Sequence, residues 1–126
     1  MKTFKKYFKL AAAPEDVYNA LTNQAMIEIW TGEDAIMEEK SGTEFSLWDG
    51  SITGLNMEFV KDSKIVQEWF FGEEEEKSIV TIKLHRDKKG TTMEVLHTNI
   101  PDEAYENIVE GWQEDYFDAL NQLFEE

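Results

Sequence analysis

The stretch DEAYENIVEGWQEDYFDALNQLFEE, residues 102–126, decides the reading of this chain. At about 100° of rotation per residue, Tyr105, Ile108, Val109, Trp112, Tyr116, Ala119, Leu120 and Leu123 fall within roughly a third of a helix's circumference. The spacing predicts one long amphipathic helix with an aromatic-rich stripe. Gly111, Phe117 and Phe124 lie off that stripe. Such a helix needs a broad apolar surface to cover, and the residues before it read as that surface.

Working back from the helix, the period of the apolar residues is two. Thr91–Thr98 carries Met93, Val95 and His97 on one face and Thr92, Glu94 and Leu96 on the other. Ser78–His85 is its neighbour across Asp87-Lys88-Lys89-Gly90. Lys64–Phe71 sets Ile65, Trp69 and Phe71 opposite Val66 and Phe70, and Ser51–Val60 sets Leu55, Met57 and Phe59 on one face. Phe45 and Leu47 alternate with Glu44, Ser46 and Trp48. The following Asp49-Gly50 marks a tight hairpin, because both central residues of such a turn take positive φ. Ala35 and Met37 alternate more weakly, as in an edge strand. The run Glu73–Glu76 reads as a solvated loop. Its consecutive carboxylates lack the spacing by which a calcium loop converges its ligands.

Nearer the start, Ala13-Pro14-Glu15-Asp16 opens a helix. Proline has no donor to lose in a first turn, and the two acids meet the positive end of the helix dipole. Asn23 caps a second short helix, Gln24 to Trp30. Thr3–Leu10 alternates as a half-solvated strand. Strand, two short helices, a run of antiparallel strands and one long helix define an α+β fold, with six to seven strands in the sheet and the helix over one face.

Composition narrows the function. The 126 residues suit a single domain, and 41% hydrophobic content supplies its core. A formal net charge of −15 sets the chain against phosphate backbones, whose binding rests on cations displacing counterions. Nucleic-acid binding is therefore not expected. The absence of cysteine removes disulfides, thiolate catalysis and cysteine-ligated zinc. The opening MKTFKKYFKLAAAP imitates a leader, but Lys9 interrupts its apolar run, and no stretch is long enough to span a membrane. A cytoplasmic protein is expected.

Several segments in order resemble one family. They are Ala13-Pro14-Glu15-Asp16-Val17-Tyr18 with Leu21-Thr22, Gly42-Thr43-Glu44-Phe45 before Asp49-Gly50 and Gly54, and Lys64-Ile65-Val66-Gln67-Glu68-Trp69. Ile100-Pro101 with Gly111-Trp112 and Tyr116-Phe117 completes the set. Together they are similar to the homologues of the activator of the heat-shock-protein-90 ATPase, in the form of that activator's C-terminal domain, within the START-like (SRPBCC) superfamily. The resemblance runs over residues 1–126 as one such domain. It implies a helix-grip fold, a curved sheet wrapped around the last helix, with an apolar cavity between them. The eukaryotic activator has a further N-terminal domain that supplies much of its chaperone binding, and these residues hold no counterpart to it.

With that cavity in view, the expected lining is Trp30, Phe45, Trp69 and Phe71, then Met93, Val95, Ile108, Trp112 and Tyr116, with Gln67, His97 and Tyr105 as orienting polar groups. Trp48, Phe117 and Phe124 alternate away from the core set and form a candidate surface for a protein partner or a second copy of the chain. His97 is the one candidate for a general base, in a cyclase or hydrolase acting inside the cavity. Against that, Glu94 and Glu68 point away from it, and a partly buried histidine bonded to backbone at a strand end is the preferred reading. His85 is expected in solvent. No catalytic residue, metal site or cofactor is indicated. The leading expectation is a non-catalytic protein binding a small apolar or amphipathic ligand; the alternative is an interaction protein regulating a chaperone ATPase.

Overall fold

The computed structural model describes residues 1–72 and 77–125. The acidic run Glu73–Glu76, read as a loop, lies outside the described residues. Six strands form one antiparallel curved sheet: β1 (Lys2–Leu10), β2 (Glu44–Leu47), β3 (Ile52–Val60), β4 (Lys64–Trp69), β5 (Ser78–Asp87) and β6 (Gly90–Ile100). Their order across the sheet is β1-β6-β5-β4-β3-β2, so the first strand pairs with the last and only that connection is non-local. Two helices, α1 (Pro14–Thr22) and α2 (Gln24–Thr31), bridge from β1 to β2. The C-terminal helix begins as α3 (Tyr105–Gly111) and ends as α4 (Asp118–Leu123). This is the expected α+β helix-grip fold.

Local signals explain the ends of the helices. Pro14 opens α1 with Glu15 and Asp16 in its first turn. The Asn23 side chain accepts a hydrogen bond from the Met26 N–H at 3.2 Å, and Gly32, at φ +74°, closes α2 in the left-handed conformation that an L side chain resists. The core fills the space between the helices and the sheet. Phe8, Val17, Ile27, Ile82 and Met93 are all buried there, as is Leu120 from α4.

Three local readings change. The segment around Ala35 and Met37 is not a strand. Its backbone donors go to side chains of α2, Ala35 N–H to Glu28 Oε2 and Met37 N–H to Gln24 Oε1, both at 3.1 Å. What remains of a ladder is one bridge between Ile36 and Ser46. In β3, the face expected from Leu55, Met57 and Phe59 is broken by a bulge. Asn56 pairs with Gln67 and Glu58 with Val66, so Met57 is the extra residue. Gly54 and Asn56 face the core before the bulge, Phe59 packs against it after, and Met57 is exposed.

The third change lies in the last helix. Between α3 and α4, residues Trp112–Phe117 form a π-helical segment, with the Asp118 N–H bonded to the carbonyl of Gln113. The wider turn slows the rotation per residue, so Trp112, Tyr116 and Leu120, spaced four apart, all face the sheet. The expected even stripe is thereby gathered into three buried anchors, and Tyr105, Ile108 and Val109 are left half-buried.

Candidate functional site: an acid-rimmed aromatic cleft

A cleft of about 640 Å³ opens between the C-terminal helix and the β2–β3 turn. Its apolar surface comes from Trp48 and Ile52 on the hairpin, Trp69 on β4, and Ile108, Trp112 and Tyr116 on the helix. Glu33, Asp49 and Asp115 stand around it with Ser51 and Asn107. None of the three carboxylates takes part in an ion pair among the described residues, and no lysine, arginine or histidine lines the cleft. Gly111 forms part of the helix wall, where a Cβ would meet only the Asp115 carboxylate, at 3.7 Å.

The turn that carries Trp48 explains its position. Asp49 and Gly50 have φ of +53° and +91°, and the Ser51 N–H bonds the Trp48 carbonyl at 3.1 Å, a tight turn of the kind Asp-Gly favours. Trp48 itself is at φ +50°, a conformation that costs a bulky residue about 1 kcal/mol or more. The Asp49 N–H donates to the Asp34 carbonyl at 2.9 Å and ties the turn to the segment after α2. The Trp48 ring then meets Trp30 and Tyr116 edge-on, each at 5.9 Å between centroids.

Beneath the cleft the aromatic rings are held by buried polar chains. Trp69 and Trp112 stack at 5.1 Å with 17° between planes. The Trp112 indole donates to His97 Nδ1 at 3.1 Å, and His97 Nε2 lies 2.8 Å from Ser78 Oγ, which donates onward to the Thr98 carbonyl. An indole N–H can only donate, so Nδ1 is the acceptor and Nε2 carries the proton. The Trp69 indole donates to Gln67 Oε1 at 3.1 Å; the Gln67 amide donates to Asn56 Oδ1 at 3.0 Å, and Asn56 in turn bonds Thr43 and the Glu38 carbonyl. Trp30 donates to the Ala20 carbonyl at 2.8 Å. Trp48 is the half-exposed member of the four indoles.

Tyr116 differs from these closed groups, since no fully buried side-chain oxygen or nitrogen among the described residues goes unpartnered. It is only 5% exposed and sits 4.5 Å from the Trp112 ring and 5.1 Å from Trp30. Its hydroxyl has no hydrogen-bond partner among the described residues and keeps contact with solvent, and the residue borders the cleft. Burial pushes its ionisation well above the ordinary tyrosine range, so the group stays a neutral phenol.

The residues expected to line a cavity fall in several places. Trp69, Ile108, Trp112 and Tyr116 border the cleft. Trp30, Phe45, Met93 and Val95 do not; they are buried in the core behind it. Gln67 and His97 are closed into the polar chains, and Tyr105 lies half-buried under the Lys2 ammonium, 4.9 Å away. Phe71 borders a separate recess of about 90 Å³ beside Pro101.

The candidate partner surface is corrected too. Phe117 stacks on Phe8 of β1 at 4.7 Å, and Phe124 packs on the core. Trp48 belongs to the cleft, so the three do not form an exposed patch. The rim residues Glu33, Asp49 and Asp115 escaped sequence reading. They come from three distant segments, and the Asp-Gly turn was the one local hint.

Nor does the geometry offer a reactive centre at His97. Both ring nitrogens are engaged, the residue has no exposure, and burial pushes its pKa down to about 4. On the outer face of the sheet, Glu94 bonds His85 at 2.9 Å, so it is oriented away from His97. His85, expected in solvent, is half exposed and takes part in that pair. Among the described residues no group of acids and histidines is placed to hold a metal, and no helix is long and apolar enough to cross a membrane.

Comparison with known proteins places this geometry in a family. The family described as activator of Hsp90 ATPase homolog 1-like protein matches residues 11–125. An activator of 90 kDa heat shock protein ATPase homolog from Dictyostelium discoideum is 33% identical over 126 residues, covering 98% of this chain and 33% of that protein. The human activator of 90 kDa heat shock protein ATPase homolog 1 is 32% identical over 124 residues, covering 97% and 36%. The chain thus spans about a third of the length of these relatives. Among solved structures, an HSP90 activator from Plasmodium falciparum superposes with a TM-score of 0.87 at 28% identity, over 96% of this chain and 94% of that one. The Aha1 dimer from Colwellia psychrerythraea gives 0.84 at 15% identity, over 99% and 97%, a likeness of fold. Sequence likeness along nearly the whole chain, on the helix-grip fold just described, shows that it belongs to the activator of Hsp90 ATPase homolog 1-like family.

Proposed function

We propose that this chain is a non-catalytic regulator of an Hsp90-type chaperone ATPase. The observation that supports it is the identity of about a third, along nearly the whole of this chain, with about a third of the length of two proteins named as activator homologs of that ATPase. The interior agrees with the non-catalytic part, since His97 has no free nitrogen for a substrate. A chaperone partner of this kind and a chain without cysteine fit a cytoplasmic setting. The test is the steady-state ATPase rate of the Hsp90-type chaperone from the same organism, with and without this protein. A saturable rise in rate is expected; an unchanged rate together with no complex on co-sedimentation would count against the proposal.

The cleft favours a second reading, a small ligand held under the C-terminal helix. Its volume falls in the range of small-molecule sites, roughly 300–1,000 Å³. Titrating apolar and amphipathic compounds while following tryptophan emission tests this, because Trp48, Trp69 and Trp112 all border the cleft. A flat response to every compound would remove it.

A further inference from the structure

We propose that the cleft is a receptor for a small organic cation, an ammonium or guanidinium head carried on an apolar body. This rests on the ligand-binding reading above and specifies the ligand's charge.

Three observations converge. The first is the rim. Glu33, Asp49 and Asp115 come from three separate elements, and none is neutralised by an ion pair among the described residues. In a protein of net charge −15, a carboxylate or phosphate head placed here would meet only like charge, whereas a cation meets three carboxylates. The second is the aromatic wall. Trp48 is half-exposed beside Asp49, so a cation held by the carboxylate also reaches an indole, the ring that attracts cations most strongly.

The third is Tyr116. Its hydroxyl makes no hydrogen bond among the described residues and is not sealed from solvent, since no fully buried side-chain oxygen there lacks a partner, and the residue borders the cleft at only 5% exposure. As a neutral phenol it accepts a hydrogen bond from an ammonium or guanidinium N–H. The apolar body has Ile52, Ile108 and Trp112 to pack against, and the missing side chain at Gly111 keeps the wall open.

The experiment uses one apolar body with three heads: phenylbutylamine, phenylbutanol and phenylbutanoate, each titrated calorimetrically into the full chain. The amine is expected to bind about tenfold more tightly than the alcohol, with the carboxylate weakest. Asp49→Asn and Asp115→Asn together should bring the amine to the level of the alcohol while leaving the alcohol unchanged. Gly111→Leu, which fills the wall without touching the core, should abolish amine binding with the thermal melt preserved.

The alcohol or carboxylate binding as tightly as the amine would overturn the cation proposal and leave the ligand-binding reading standing. If none of the three bound at millimolar concentration, both would fall. Amine binding that survives Gly111→Leu would place the amine elsewhere and overturn the proposal. So would binding of a lysine-rich peptide with none of the amine, since the cleft would then be a protein-docking surface.

Discussion

Trp112 donates its indole N–H to Nδ1 of His97 across 3.1 Å, and this single bond sets the tautomer of a histidine with no exposure to solvent. A second proton would have to sit on Nδ1, facing a donor that cannot accept it. The helix is thereby joined to the centre of the sheet through a ring that must stay neutral.

The first prediction concerns pH. Burial lowers the His97 pKa from 6.5 to about 4 in the folded chain. Between those values the unfolded chain binds a proton that the folded chain does not, so this contribution is complete above 6.5 and is lost as pH falls toward 4. The loss amounts to roughly 3 kcal/mol. Urea denaturation of the wild type and His97→Gln across that window checks it: the variant should lack this share of the acid destabilisation.

Removing the donor alone should release the constraint. Trp112→Phe keeps a ring stacked on Trp69 but leaves Nδ1 of His97 without its hydrogen bond. We expect a loss of about 2 kcal/mol at neutral pH. The His97 pKa should also rise, read by proton NMR titration of the imidazole.

The Gln67 chain makes a parallel prediction. Gln67→Leu strips the Trp69 indole of its acceptor and Asn56 Oδ1 of its donor, both in the interior. Two unsatisfied buried groups should cost about 2–4 kcal/mol, measured by thermal or urea unfolding. A change within the scatter of surface substitutions would show that water replaces the glutamine.

Two glycines should respond in opposite directions. A Cβ at Gly54 would overlap the Glu68 carbonyl oxygen and the Phe45 ring, so Gly54→Ala should destabilise by about 3 kcal/mol. At Gly111 a Cβ has room on an ordinary helical backbone, so Gly111→Ala should stabilise by about 0.5–1 kcal/mol. Paired denaturation curves test both.

The family resemblance and the architecture were legible in the chain because both are written in local pattern. The period-two faces of β4, β5 and β6, the cap at Asn23 and the Asp49-Gly50 turn each act over a few residues. They survive being read without a partner. The bulge at Met57 did not announce itself, since Leu55, Met57 and Phe59 look like one face until the pairing with β4 is known. Likewise the period of the last helix seemed uniform, whereas packing against the sheet draws Trp112, Tyr116 and Leu120 inward through a π-helical segment.

The amino-acid sequence by itself determined the α+β order, the helix over the sheet and the aromatic stock of the interior, because hydrophobic periodicity and turn chemistry depend on neighbours in the chain. Only the tertiary structure decided which aromatics face a cleft and which seal the core. That choice separated Trp48 from Phe117 and closed His97 and Gln67 into hydrogen-bonded chains. It also brought Glu33, Asp49 and Asp115 together from three segments, a convergence that no spacing along the chain encodes.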